Sequence, residues 1–292
     1  MTVYFGPAGA SDAFYAEGRK SSLEMPDWLA ERGLNAYEYQ CGRGVNISVE
    51  TAARLGKLAA QRGIKMSVHA PYYINLSSTD LEIRAKTRHH LLKSLKVARA
   101  MEATAVVFHP GSGSGGGRRE ILNRAKAFLK EILLEAEEEG LSGVLLAPET
   151  MGKRSLLGSL EEVIELCETG SRVVPAVDFG HLYAATGGRY VRREDFEEDF
   201  DLIERCLGKE YLQNLHIHFS PVEFTGAGEK RHRTTLEAGF GPDFTPLAEL
   251  LAGRELTPTV ICESNGRQAE DAVVYRDIYL KVLEDGKRRI KK

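Results

Sequence analysis

Short apolar, β-branched runs alternate with helical patterns along the whole chain, and run after run ends on a histidine or a carboxylate. KMSVH closes on His69, AVVFH on His109, VLLAPE on Glu149, VVPAVD on Asp178, LHIH on His218 and TVICE on Glu263. Runs of this length and composition read as buried strands. Such runs lie near 3–6, 34–39, 64–69, 104–109, 143–149, 173–178, 214–219 and 258–263. Helical patterns fall at 25–32, 49–62, 79–101, 118–139, 159–169, 194–208, 245–253 and 267–286. Strands alternating with helices imply a parallel sheet with right-handed crossovers. Eight repeats predict an α/β fold of the closed (β/α)8 type rather than an open doubly wound sheet. Such a barrel takes about 250 residues, so one barrel domain over residues 1–292 is expected.

Composition narrows the class. Apolar residues make up 42% of the chain and charged residues 28%, ordinary values for a soluble globular protein. No apolar stretch approaches the roughly 18 residues of a membrane span. The opening MTVYFGPAGASDAF has no basic segment leading into an apolar one, so no signal peptide is expected. Cys41, Cys167, Cys206 and Cys262 lack C-x-x-C spacing, which argues against a thiolate zinc site and for a reducing, cytoplasmic location. The net charge of −3 does not announce a nucleic-acid partner, so any positive potential has to be local. A monomer that engages no membrane is the expectation.

A parallel barrel gathers its strand ends onto one face, where catalytic groups sit. His69, His109, Glu149, Asp178, His218 and Glu263 then converge, joined by His181 three residues beyond Asp178 in DFGH. A helical turn there lets Asp178 and His181 face one pocket. Imidazoles mixed with carboxylates suit zinc, manganese or iron better than calcium or magnesium, and a carboxylate such as Glu149 can bridge two ions. A centre of more than one divalent ion is expected. His216 and His218 share one strand face; His218, nearer the strand end, is the expected ligand and His216, one layer deeper, its outer partner. His89 and His90 lie mid-helix and read as surface or packing residues, while Cys262 points into the helix layer. The long or glycine-rich segments PGSGSGGGRR, YAATGGRYVRR and SPVEFTGAGEKRHRTT belong to loops on the expected catalytic face.

The succession SVHAPYYINL, VFHPGS, APETMG, VDFGHLYA, HIHFS, GEKRHRT and ICESN resembles endonuclease IV. That family comprises metal-dependent apurinic/apyrimidinic endonucleases built on a xylose-isomerase-like TIM barrel, and its motifs occur here in family order. The resemblance implies hydrolysis of the phosphodiester 5′ to an abasic site by a three-metal centre. Carried over residue by residue, His69 and His109 hold the first ion and Glu149 bridges it to the second. The second also takes Asp178, His218 and Glu263, and the third uses His181 and His232. The family's remaining third-site ligand is an aspartate two residues before that last histidine, where this chain has Lys230. An ammonium has no lone pair to give a metal. Glu229 follows the stretch Gly226, Ala227 and Gly228, which reads as a flexible loop, and is expected to turn inward instead; otherwise the ion rests on two histidines and water. Two or three divalent ions, zinc foremost, follow. Hydrolysis needs an activated water, charge neutralisation and help for the leaving oxygen. Glu149 and Glu263 are the candidates for proton transfer, Glu263 as ligand first and base second.

The resemblance also implies loops that enter the minor groove and expel the abasic nucleotide. Tyr72 aligns with the family's loop tyrosine, and Tyr73 stands where an apolar wedge is expected. The plain alternative has both packing over the barrel mouth. Arg43, in the segment 40–44, is a further candidate for the groove. Arg118, Arg119, Lys153, Arg154, Arg189, Arg192, Arg193, Lys230, Arg231 and Arg233 cluster in or after catalytic-face loops and are expected to attract phosphates. The expected partner is double-stranded DNA containing abasic sites. The strongest rival is a metal-dependent sugar isomerase or epimerase on the same barrel, working with two carboxylates around one ion. Against it stand the extra imidazoles His69, His109 and His232. A second rival is a non-catalytic binder of damaged DNA.

Overall fold

All eight apolar runs form strands in the computed structural model, which describes residues 2–290. The strands are β1 (Tyr4–Pro7), β2 (Ala36–Gln40), β3 (Lys65–His69), β4 (Ala105–Phe108), β5 (Leu145–Pro148), β6 (Ala176–Asp178), β7 (His216–Phe219), β8 (Val222–Thr225), β9 (Gly228–His232) and β10 (Thr259–Cys262). The helices are α1 (Asp12–Ala16), α2 (Met25–Glu31), α3 (Val49–Gln61), α4 (Leu81–Ala100), α5 (Arg118–Glu138), α6 (Leu160–Cys167), α7 (Phe179–Thr186), α8 (Arg193–Leu207), α9 (Lys209–Gln213), α10 (Thr245–Gly253) and α11 (Gln268–Ile290). The eight expected helices are α2 to α6, α8, α10 and α11. Among the described residues, no helix is long and apolar enough to cross a membrane.

Two parallel arcs, β1-β10-β7-β6 and β2-β3-β4-β5, carry the ladder. Parallel bridges Ala8↔Glu38 on one side and Leu146↔Val173 with Glu149↔Ala176 on the other join the arcs, so the ring closes as a (β/α)8 barrel. The two-residue period of a strand sorts its side chains. On β4 and β5, Val106, Phe108 and Leu146 pack outward in the large core beneath the helices, while Ala105, Val107 and Ala147 pack inward. Small inward residues leave room for close strand approach: a Cβ added at Gly6 would stand 1.8 Å from Ala36 O. The same parity turns His109 and Glu149, two residues beyond Val107 and Ala147, into the mouth of the barrel. Cys262 is fully buried in the outer core, as its parity requires.

The loop after β7 departs from expectation. The stretch around Gly226, Ala227 and Gly228 is not loose: it is the turn of an antiparallel hairpin, β8 with β9. Gly228 has φ +105° and approaches so closely that a Cβ there would stand 2.2 Å from Gly152 O. Glu229 N–H donates to that same carbonyl at 3.0 Å. These two contacts pin the hairpin across the barrel mouth.

Behind α7, Asp199 of α8 is buried and accepts a hydrogen bond from the Tyr190 hydroxyl. Burial outweighs that bond and the Arg189 charge, raising the Asp199 carboxyl from 3.8 to about 6. The folded chain therefore holds a proton that the unfolded chain releases, and stability from this group is full below pH 3.8 and lost as pH rises through about 6. Asp199→Asn keeps an acceptor for Tyr190 and removes the buried charge. It is expected to flatten the fall in unfolding free energy between these two values and to stabilise the protein at neutral pH by about 2–3 kcal/mol. Chemical denaturation at several pH values checks this.

Candidate metal centre

Six strand ends and the start of α7 aim the central donors. Glu149, fully buried, holds Oε2 at 3.1 Å from His69 Nε2 and 3.3 Å from His109 Nε2. Its Oε1 lies 3.2 Å from His181 Nδ1 and 3.3 Å from His218 Nδ1. Both oxygens of one carboxylate thus face two sets of imidazoles. Asp178 is the N-cap of α7, accepting His181 N–H at 2.7 Å through Oδ1. That single helical turn places Asp178 and His181 in one pocket. Thr150 Oγ1 accepts Asp178 N–H at 2.8 Å, tying the end of β6 to that of β5.

Each of four imidazoles has one ring nitrogen turned to a protein oxygen and the other inward. His69 Nδ1 donates to Ala70 O at 2.8 Å and His181 Nδ1 to Thr150 O at 2.9 Å. His232 Nδ1 contacts Ser220 Oγ at 2.7 Å, and His218 Nε2 faces Glu38 Oε1 at 3.1 Å. Outer contacts of this kind set the tautomer and direct the free lone pair. At the mouth the donor atoms collect in three overlapping groups, each within 4.8 Å: His69, His109 and Glu149; Glu149, Asp178, His218 and Glu263; Asp178, His181 and His232. A fourth, Glu38, His216 and His218, lies one layer below. Glu229 extends the third, with its carboxylate 3.4 Å from His181 Nε2 and 3.8 Å from His232 Nε2.

The charges fit a cation site. Burial works against protonated His69, yet Glu149 beside it and Glu38 and Glu263 nearby lift it to about 9. Burial raises Asp178 to about 6, Glu263 and Glu149 adding to the effect against His181. Contact with His181 holds Glu229 at about 2. Asp178 Oδ2 is buried without a hydrogen-bond partner. An orphaned acceptor inside this ring of donors is costly unless a cation or proton meets it. The residues fit divalent ions.

The centre opens to solvent through His109, His232, Glu229 and Glu263, into a cleft of about 460 Å³ edged by Gln40, Tyr72, Lys153 and Gln268. Tyr72 and Tyr73 are 57% and 56% exposed. The Tyr72 ring centroid lies 5.8 Å from that of His109. Arg43 is exposed on the turn whose Gly42 carbonyl accepts Tyr72 N–H at 3.1 Å, so the arginine and tyrosine loops are joined. His89 and His90 lie on α4 outside the donor groups.

The basic rim is weaker than its residue count. Lys230, Arg231 and Arg233 all converge on Glu223, Arg118 pairs with Glu162, Arg119 with Glu165 and Arg189 with Glu198. The one-to-one pairs add little potential at a distance, while the three cations on Glu223 keep a net positive charge. Lys153, at the cleft beside Glu229, is better placed to meet a phosphate. Sequence reasoning missed Glu38, fully buried beneath the cluster, whereas the helical turn expected at Asp178 and His181 is the start of α7.

The model of a family described as a xylose isomerase-like TIM barrel matches residues 26–281. The chain belongs to that family. It is similar to an uncharacterized protein of Methanocaldococcus jannaschii, 32% identical over 264 residues, 90% of this chain and 92% of the relative. It is also similar to a protein named "Probable endonuclease 4" from Symbiobacterium thermophilum, 34% identical over 209 residues, 68% of this chain and 70% of the relative. The resemblance to endonuclease IV therefore holds beyond the motifs. Among solved structures, endonuclease IV from Thermus thermophilus superposes with a TM-score of 0.69 at 22% identity, covering 97% of this chain and 98% of that one. A D-tagatose 3-epimerase-like protein superposes with a TM-score of 0.68 at 21% identity, covering 97% and 99%. At such identities the superpositions establish the barrel. The chain is an enzyme of this superfamily, whose members include endonucleases and epimerases.

Proposed function

We propose that this xylose isomerase-like barrel is a metal-dependent apurinic/apyrimidinic endonuclease that cuts double-stranded DNA 5′ to an abasic site. The observation that carries the reading is the shared use of Glu149. One buried carboxylate serves two donor groups, and a third group adjoins them through Asp178. His69, His109 and Glu149 would hold one ion, Glu149, Asp178, His218 and Glu263 a second, and His181, His232 and Glu229 a third. Mixed nitrogen and oxygen donors favour zinc, with manganese or iron as substitutes. Bound divalent ions supply Lewis-acid polarisation of the phosphoryl group, activation of water and stabilisation of the leaving alkoxide.

The chain's own residues do the rest. Glu263, partly open at the cleft and 3.4 Å from His218 Nδ1, is placed to take a proton from an incoming water as well as to bind. Lys153 meets the phosphate from the rim. Tyr72 and Tyr73 supply the apolar wedge into a duplex that has already lost a base, where unstacking costs least. Arg43, on the adjoining turn, reaches the minor groove. A one-ion sugar epimerase needs only the Glu149, Asp178, His218 and Glu263 group, and leaves the His69 and His109 pair and the hairpin histidine without a role.

A duplex with one abasic site tests the reading. Nicking 5′ to the lesion, leaving a 3′-hydroxyl, is expected, with the intact duplex uncut. Affinity should fall as salt rises, because Lys153 and the net-positive cluster on Glu223 displace counterions from the phosphates. Equal cleavage of intact and abasic duplex, or one ion per chain together with ketose epimerisation, overturns it.

A further inference from the structure

Glu38 is the carboxylate the sequence reading passed over. It points inward from β2 with Ala36 and Gln40 and is fully buried one layer below the donor cluster. Its Oε2 accepts from Ser67 Oγ at 2.9 Å and from His216 Nε2 at 2.9 Å. Its Oε1 accepts from Gln40 Nε2 at 3.1 Å and lies 3.1 Å from His218 Nε2. This last approach is an ion-pair contact bent away from hydrogen-bond alignment. A buried carboxylate is tolerated only when paired and surrounded by donors. Here His216 directs a ring N–H at Glu38, and the His218 Nε2 lies close enough to its other oxygen for the carboxylate to hold a proton on that nitrogen. His218 then has one lone pair left, on Nδ1. That atom stands 3.3 Å from Glu149 Oε1 and 3.4 Å from Glu263 Oε1, at the heart of the four-residue group.

We infer that Glu38, held by Ser67 and His216, is a positioning residue that fixes the His218 tautomer and thereby sets the affinity of the ion shared by Glu149, Asp178, His218 and Glu263. Glu38, His216 and His218 do not form a separate ion site, because His218 has no second lone pair and two donors alone in a sealed layer hold a divalent ion poorly. The His216 ring lies edge-on to His218 at a centroid distance of 5.2 Å and keeps the carboxylate on its own side. The inference rests on reading the donor cluster as a metal centre and is independent of the reaction catalysed there.

Metal binding without substrate tests it. Apo protein, prepared by chelation, is titrated with Zn²⁺ against a competing chelator dye and with Co²⁺ for its visible absorption. Glu38→Gln, equal in shape, is expected to weaken one ion about 10–100-fold, the range typical of outer partners, and to change the Co²⁺ spectrum. Glu38→Asp should recover part of the loss. Nitrogen-15 NMR of the Zn²⁺-loaded wild type reads the tautomer with no substitution, so the test survives if Glu38→Gln does not fold. A His218 proton on Nε2 with metal on Nδ1 supports the inference; a proton on Nδ1 overturns it. If Glu38→Gln binds every ion as tightly as wild type, this inference falls and the metal centre stands. If wild type binds no ion, both fall.

Discussion

Glu149→Gln is expected to remove nearly all activity and one or two ions per chain while the barrel remains folded. The glutamine has the same shape but one oxygen instead of two. Its NH₂ must face either His69 and His109 or His181 and His218, because each carboxylate oxygen contacts one of these pairs. An amide nitrogen offers no lone pair to a metal. Whichever way it turns, one of the two groups that share Glu149 loses its carboxylate. The remaining charges are also unbalanced: burial opposes ionisation of Glu149, yet His218, His109 and His181 hold its pKa well below the usual range. Taking one partner from a buried charge network costs about 3–5 kcal/mol of stability, and losing a metal ligand should slow the reaction by at least the roughly 10–100-fold that outer partners cost. Elemental analysis and single-turnover nicking of an abasic duplex give the two numbers. Wild-type metal content and rate in Glu149→Gln would remove the shared carboxylate from the centre.

Much of this was legible in the chain because one rule, the two-residue period of a buried strand, carries both fold and site. It marks Val107 and Ala147 as inward residues and so aims His109 and Glu149 at the mouth. It puts His216 and His218 on one face, where nearness to the strand end ranks His218 first, and the structure places His218 among Glu149, Asp178 and Glu263 and His216 one layer lower against Glu38. Glu38 itself obeyed the rule and went unselected. A charge on the inward parity of AYEYQ, in mid-strand, was the available signal, since an inward carboxylate needs a partner on a neighbouring strand. The hairpin was harder to foresee. Its strands β8 and β9 carry charged residues and turn on glycines, so composition reads them as loop. What orders them is tertiary: the close approach of Gly228 to Gly152. The paired state of the rim cations was equally invisible, because Glu223 meets Lys230 and Arg233 only once β8 and β9 pair.

That hairpin carries the second large expectation, Glu229→Ala against Lys230→Ala. The two neighbours point to opposite sides of the hairpin. Lys230 turns out, 57% exposed, with its ammonium 2.6 Å from Glu223 Oε1. Glu229 turns in, 16% exposed, with its carboxylate between His181 and His232. The backbone fixes this choice, because Glu229 N–H is bonded to Gly152 O and the Gly228 Cα lies against the same carbonyl. Slipping the strand by one residue would break both contacts. A glutamate at this place has the reach and the charge that the lysine lacks, so the third ion is expected on His181, His232 and Glu229. Glu229→Ala should lose one ion per chain. Losing a ligand should cost at least the roughly 10–100-fold that outer partners cost in affinity or activity, and cleavage should slow accordingly. Lys230→Ala removes one exposed pair worth about 0–1 kcal/mol and should keep its metal and most of its rate. Equal metal content and equal rates for wild type and Glu229→Ala would leave the third ion, if bound at all, to the two histidines and solvent.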